Sequence, residues 1–378
     1  MVSETRDSTF SSLSILSAGQ IPGLVSSWSK SNLAFGLVRI SGNEFGFAAS
    51  PARNLIPLNN SNLKEKCLHR QGFVVFPFDG NRNQGYLIPA LLHPQIHDFS
   101  DIGENTAAVK NPEPAEGETT ESYYKFITEK AVEEIKQGRF QKLVLARQKT
   151  IAYPGFDPGN LVQKLLEAYP LAHLIVFQIP GQGLWISASP EILLEQKQGE
   201  SHIHTMALAG TQNFTAGDEL KTRAWTEKEI EEQALVSGFI KNKLYECGYN
   251  RFLEKGPYTV QAGNLVHLRT DFQVEEKSES SFFEMAETLH PTPAVCGSPA
   301  DAAADWLRQH ENFDREFYTG FGGIIGGEKN KLVVLLRICQ VRNERLTFFA
   351  GAGITALSVP DKEWQETTEK LQTLMALL

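Results

Sequence analysis

Short apolar runs separated by turn residues fill the first hundred positions, as in Ala34-Phe35-Gly36-Leu37-Val38, Gly72-Phe73-Val74-Val75-Phe76-Pro77 and Gly85-Tyr86-Leu87-Ile88-Pro89. Runs of this length, punctuated by Gly, Pro and Asn, read as strands of a mostly antiparallel sheet. Between Asp101 and Glu121 the apolar positions thin out, and acidic residues around Pro112 and Pro114 mark a connecting segment. Helical spacing then covers Ser122 to Lys136, followed by strands at Gln141 to Ala146, Ala172 to Ile179 and Leu184 to Ala188. Two further helices are predicted over Thr226 to Leu244 and Asp361 to Met375. Strands and helices in this order, without regular βαβ alternation, imply an α+β fold with antiparallel sheets.

Composition narrows the function. The 378 residues are 41% hydrophobic, enough for a sizeable core, and contain no apolar run long enough to span a bilayer. The first twenty residues lack the basic start and apolar stretch of a secretion signal. Cys67, Cys247, Cys296 and Cys339 are scattered without metal-site spacing, so they read as reduced thiols of a cytoplasmic protein. A formal net charge of -9 without clustered Lys and Arg excludes a nucleic-acid surface and leaves a small molecule as the expected partner.

Several segments could carry chemistry. Lys142 heads the apolar stretch KLVLAR, where apolar neighbours favour a neutral amine able to act as a base; a lysine at a strand end is also commonly just solvated. In SPEILL, Glu191 follows a turn and precedes a buried-looking strand, so it could be a general acid or a plain strand-edge residue. Thr226 and Glu229 match a capping box, and Glu229 and Glu232 share a helix face. Glu363, Glu366 and Lys370 lie on one side of the last helix, bordering the apolar stripe of Trp364, Leu371 and Met375. Carboxylates from two helices could together hold Mg2+, which binds hard oxygens and keeps waters. Arg337 ends an apolar strand and suits a planar anion such as a carboxylate. The glycine-rich segments FGGIIGG and AGAGIT lack the features of a phosphate loop. His267 and His290 have no metal-type spacing, and each alone fits a hydrogen-bonded core or turn histidine.

In order, the pieces KLVLAR, SPEILL, LAGT, KEIEEQALV, HLRT, LHPTPAVCG, FDREFYTGFGGIIG, LLR, AGAGIT and EWQETTEK resemble the chorismate-utilising enzymes, which include isochorismate, salicylate, anthranilate and aminodeoxychorismate synthases. The resemblance covers 122–378. It implies two antiparallel sheets packed together with helices outside, forming a single chorismate-binding domain over 1–378 in which 1–115 is a divergent N-terminal part. It also implies Mg2+ held by Glu232 and Glu366, with Glu229 and Glu363 as supporting carboxylates. The same resemblance implies that substrate is held by Gly210, Thr211, Arg337, Gly353 and Lys370, and that the catalytic group is Lys142 as base, Glu191 as acid and His267.

Within this family the lysine matching Lys142 activates water for attack at ring C2 of chorismate while the glutamate protonates the departing C4 hydroxyl, giving isochorismate. Ala209 stands where aminodeoxychorismate enzymes place a nucleophilic lysine, and no amidotransferase segment or subunit is required. Phe321 favours release of isochorismate and Leu336 favours salicylate formation; a non-catalytic chorismate-binding subunit is the remaining alternative. The product would feed menaquinone or siderophore synthesis. Two positions depart from the family pattern: Gln212, expected to alter packing of the substrate loop, and Gln233, expected in the outer shell of the metal.

Overall fold

A computed structural model of the chain describes residues 13–95, 118–197, 199–214, 219–262, 265–327 and 329–378. The elements run β1 (Ser14–Ser17), α1 (Ile21–Trp28), β2 (Leu33–Ser41), β3 (Glu44–Pro51), β4 (Ile56–Leu58), α2 (Leu63–Cys67), β5 (Gly72–Phe76), β6 (Gly85–Pro89), α3 (Glu121–Lys136), β7 (Lys142–Ala152) and α4 (Pro158–Ala168). They continue with β8 (His173–Ile179), β9 (Gly183–Ser189), β10 (Ile192–Lys197), β11 (His202–Asn213), α5 (Glu227–Glu246), β12 (Leu253–Ala262), β13 (Leu265–Glu275) and α6 (Ser281–Leu289). The last are β14 (Gly297–Ser298), α7 (Ala300–His310), β15 (Phe321–Ile325), β16 (Lys329–Val334), β17 (Ile338–Arg342), β18 (Arg345–Ile354) and α8 (Pro360–Met375).

Two nine-stranded sheets result, ordered β1-β3-β2-β8-β9-β17-β18-β7-β14 and β12-β13-β11-β10-β16-β15-β5-β6-β4. The pairings within them are antiparallel. The strands before residue 90 are shared out, β1 to β3 in the first sheet and β4 to β6 in the second. Side-chain alternation along each strand then fills three apolar layers. Val38, Phe177 and Trp185 of the first sheet meet Phe73, Val75 and Val333 of the second between the sheets. The outer face of the first sheet packs on α1, α4 and α8 through Val25, Leu161 and Leu371. The outer face of the second packs on α5 and α6 through Val236, Ile240 and Phe282. The expected α+β architecture of two packed antiparallel sheets with helices outside is what the chain adopts.

Two local expectations are corrected. The first hundred residues are not strands alone: α1 and α2 lie among them. Ile21, Val25 and Trp28, spaced for one helix face, are all buried, and Pro22 sits in the first turn, where its missing N–H does no harm. The connecting segment expected at 101–121 lies outside the described residues up to 117. Glu121 itself already belongs to α3, whose Thr120 hydroxyl caps the Tyr123 amide at 3.3 Å.

Candidate active site

At β9 the chain leaves the first sheet, turns at Pro190-Glu191, and enters the second sheet as β10. It returns between β16 and β17, and Arg337 lies on that return. The two crossings run side by side: the Val334 amide donates to the Glu191 carbonyl at 3.1 Å, the Ala188 amide to the Arg337 carbonyl at 3.1 Å, and the Ser187 hydroxyl to the Leu336 carbonyl at 2.7 Å. An acid and a guanidinium are thereby fixed by backbone at the seam between the sheets. Arg337 holds φ at 46°, a left-handed conformation that a non-glycine residue adopts only where its surroundings enforce it.

One pocket opens at this seam, and all ten site residues expected from the sequence line it: Lys142, Glu191, Gly210, Thr211, Glu232, His267, Arg337, Gly353, Glu366 and Lys370. Lys142 is the first residue of β7, 2% exposed, with its Nζ 3.5 Å from Glu232 Oε2. Glu191 is 3% exposed; burial pushes its carboxyl up to about 8 against the opposing pull of Lys142, so it carries its proton at neutral pH.

Glycine shapes the floor. A Cβ on Gly353 would come within 2.7 Å of Lys142 Cε and 2.9 Å of Glu232 Oε2, so a side chain there would have to displace the ends of both. Gly210 sits at a bulge of β11 with φ at 67°, the left-handed region that glycine enters freely.

His267 of β13 stands behind Arg337. The guanidinium has no acceptor, so the 2.8 Å contact between Arg337 Nη2 and His267 Nε2 makes Nε2 the acceptor and puts the ring proton on Nδ1. That nitrogen donates to the Gly210 carbonyl at 3.0 Å and lies 3.3 Å from the Thr211 hydroxyl. Burial, reinforced by Arg337 and Lys370, holds the ring well below the usual histidine range and keeps it neutral. The imidazole therefore links the guanidinium to the Gly210-Thr211 bulge. Arg337 also donates to the Ala262 carbonyl at 3.0 Å, and burial brings its guanidinium down to about 10. No acidic side chain pairs with it among the described residues.

Carboxylates close the pocket from the helices. Glu232 on α5 and Glu366 on α8 both reach it, and Lys370 Nζ binds Glu366 Oε1 at 2.7 Å and the Gly351 carbonyl at 2.9 Å. Burial works to raise Glu366, yet Lys370 and Lys228 hold it below the usual carboxylate range. Glu363, one turn back, is 2% exposed; its Oε1 takes Lys228 Nζ at 2.7 Å while its Oε2 is buried without a hydrogen-bond partner. The hard-oxygen donors Glu232 and Glu366, brought to one pocket from two helices, fit Mg2+, which needs few protein ligands beside water and substrate oxygens. No group of three or more metal-binding side chains is already gathered among the described residues.

Other expected roles shift. Glu229 spends its Oε2 on the capping box, accepting from the Thr226 amide at 2.7 Å and hydroxyl at 2.9 Å, and from Gln212 Nε2 at 2.8 Å. Gln212 thus ties the end of β11 to α5. Gln233 turns away from the pocket carboxylates, donating to the Ala207 carbonyl and to Thr270 Oγ1 beneath α5, which corrects its expected place in the outer shell of a metal. Phe321 lines a different cavity and stacks on Phe76 at 5.2 Å, whereas Leu336 lines the seam pocket itself. Two residues escaped the sequence reading. Tyr318, 2% exposed, faces the pocket with a hydroxyl that has no hydrogen-bond partner among the described residues, and burial raises its phenol. Lys228 lies among the acidic side chains; burial disfavours its charge, but Glu232, Glu363 and Glu366 hold its ammonium above the usual lysine range. Tyr318 could have been read from its place between Phe317 and Thr319 in a motif of small and aromatic residues; Lys228 gave no such signal.

The model of the chorismate binding enzyme family matches residues 90–378, and the chain belongs to that family. Among curated relatives it is 33% identical over 241 residues to the isochorismate synthase EntC of Escherichia coli K12, covering 62% of this chain and 61% of that protein. It is 26% identical over 355 residues to the vibriobactin-specific isochorismate synthase of Vibrio cholerae, covering 88% and 84% respectively. The chain thus spans about six-tenths of the length of the first of these relatives. Its fold matches the structure of an isochorismate synthase, DhbC, of Bacillus anthracis at a TM-score of 0.74 and 23% identity, over 94% of this chain and 98% of that one. It also matches anthranilate synthase component I of Streptococcus pneumoniae at 0.64 and 15% identity, over 99% and 95%.

Proposed function

We propose that the protein is an isochorismate synthase, converting chorismate reversibly to isochorismate with Mg2+, and that the observation carrying this reading is the convergence of a buried lysine, Lys142, and a buried, proton-bearing carboxyl, Glu191, in one pocket. Lys142 takes a proton from water as its oxygen bonds to ring C2. The double bond shifts, and Glu191 gives its proton to the hydroxyl leaving C4 as water. Atoms balance, because one water enters and one departs. Arg337 and Lys370 bind substrate carboxylate oxygens, with the Gly210-Thr211 bulge and Gly353 shaping the contact. His267 assists catalysis by orienting Arg337 and the bulge. When bound at Glu232 and Glu366, Mg2+ supplies charge neutralisation for the substrate's ring carboxylate. Clamping the ring between base and acid is what turns two ordinary groups into a catalyst.

No amidotransferase partner enters this scheme. The four cysteines are free thiols, and among the described residues no helix is long and apolar enough to cross a membrane; we read the protein as cytoplasmic. Leu336, lining the pocket beside Arg337, favours a second reading in which isochorismate goes on to lose pyruvate and give salicylate. Chromatography of products from purified protein with chorismate and Mg2+ separates the two: isochorismate alone is expected, salicylate with pyruvate supports the second reading, and no product supports a non-catalytic subunit.

A further inference from the structure

The first turn of α5 sends an ammonium into the carboxylate cluster. Lys228 is the second residue of that helix, where the macrodipole disfavours a cation. Its side chain nevertheless folds inward and is only 21% exposed, with Nζ 2.7 Å from Glu363 Oε1 on α8 and 3.5 Å from Glu232 Oε1 on its own helix. Those oxygens belong to different helices, so the ammonium clasps α5 to α8. Lys228 is not among the residues lining the pocket, which separates it from substrate.

We propose that Lys228 is a built-in surrogate cation, holding the two carboxylate helices together while the metal site is empty and giving way when Mg2+ enters. This rests on the reading of Glu232 and Glu366 as the metal carboxylates. Mg2+ takes its oxygens at about 2.0–2.1 Å. An ammonium already bonded to Glu232 and Glu363 therefore competes with it for the same charge and lies within repulsive range. Lysine suits such a part, since its charge is a compact point on a flexible stem that can swing to solvent. The outcome is an apoprotein whose site is assembled in advance and whose affinity for Mg2+ is held down.

Calorimetric titration of MgCl2 into wild-type protein, K228M, K228R and E366Q tests this, together with thermal melts with and without Mg2+. K228M is expected to bind Mg2+ roughly tenfold or more tightly than wild type. It should melt lower than wild type without metal and recover more when Mg2+ is added. K228R, which keeps the charge, should stay near wild type. If metal-free K228M is too unstable to titrate, the two melts still decide the matter, because a surrogate predicts a larger Mg2+-induced rise than in wild type. An unchanged or weaker affinity in K228M, with E366Q impaired, overturns the role of Lys228 alone. Equal Mg2+ uptake by wild type and E366Q removes the metal assignment and the surrogate with it.

Discussion

Burial at the seam gives Glu191 a proton at neutral pH, and this single shift sets the sign of the pH dependence. The acid works only when protonated, so kcat/KM for chorismate is expected to fall as pH rises through about 8. Glu191→Gln should abolish that limb and lower turnover by roughly 10²–10⁴-fold, as expected for removal of a general acid. Lys142→Ala should cost a similar factor. Circular dichroism and melting curves of both variants should stay those of the wild type, and full activity in either variant sinks the acid–base assignment. His267 acts through its neighbours, so His267→Ala should raise KM more than it lowers kcat; an equal loss in both would place the ring on the reacting atoms. The sequence named these residues because each stands beside apolar or turn residues in an ordered set of segments. It could not show that Glu229 is occupied in a cap, that Gln233 points into a sheet, or that Phe321 faces another cavity. Those outcomes depend on which way a side chain turns once two sheets and two helices have met.

At the level of elements, the site is an agreement between β18, whose Gly353 leaves room for the ends of Lys142 and Glu232, and α5, which holds Glu232 against it. Gly353→Ala would push a methyl onto Lys142 Cε and Glu232 Oε2. Overpacking of this kind costs about 1–3 kcal/mol. Denaturant melts should show that loss, and activity should drop further because the base and a carboxylate are both displaced; wild-type turnover would mean that the floor can give. Thr226→Ala removes the cap of α5 and should destabilise the protein by about 1 kcal/mol, readable as a lower urea midpoint. The helices that matter here were legible because long, strongly patterned segments announce themselves. The short α1 was not, since Pro22 and Gly23 stand in its first turn and one face is defined only when tertiary packing buries Ile21, Val25 and Trp28 together.

Across the whole molecule, strands from residues 14–89 complete both sheets, and residues 122–378 supply the pocket. We expect one cooperative calorimetric transition, with activity and tertiary signals lost together; two separable transitions would divide the chain into independent units. Arg315 extends this coupling. Its guanidinium, 2% exposed, pairs with buried Glu311 at 2.5 Å and donates to the Val144 carbonyl at 2.6 Å and the Val295 carbonyl at 2.8 Å, tying β7 to the segment after α6. Arg315→Met leaves Glu311 without its ion-pair partner, holding only the Ala146 amide, and is expected to destabilise by about 3–5 kcal/mol.

The paired crossings at Glu191 and Arg337 give the molecule a mechanical character. They are stitched to each other by backbone, so they behave as a pivot, whereas Lys142 rides on one sheet and the Gly210-Thr211 bulge on the other. Any sliding of the sheets alters distances least at the pivot and most along the two arms. Gentle warming below the melting transition should therefore loosen the grip on chorismate before it disturbs proton delivery, and KM should climb while the pH limb set by Glu191 stays where it was.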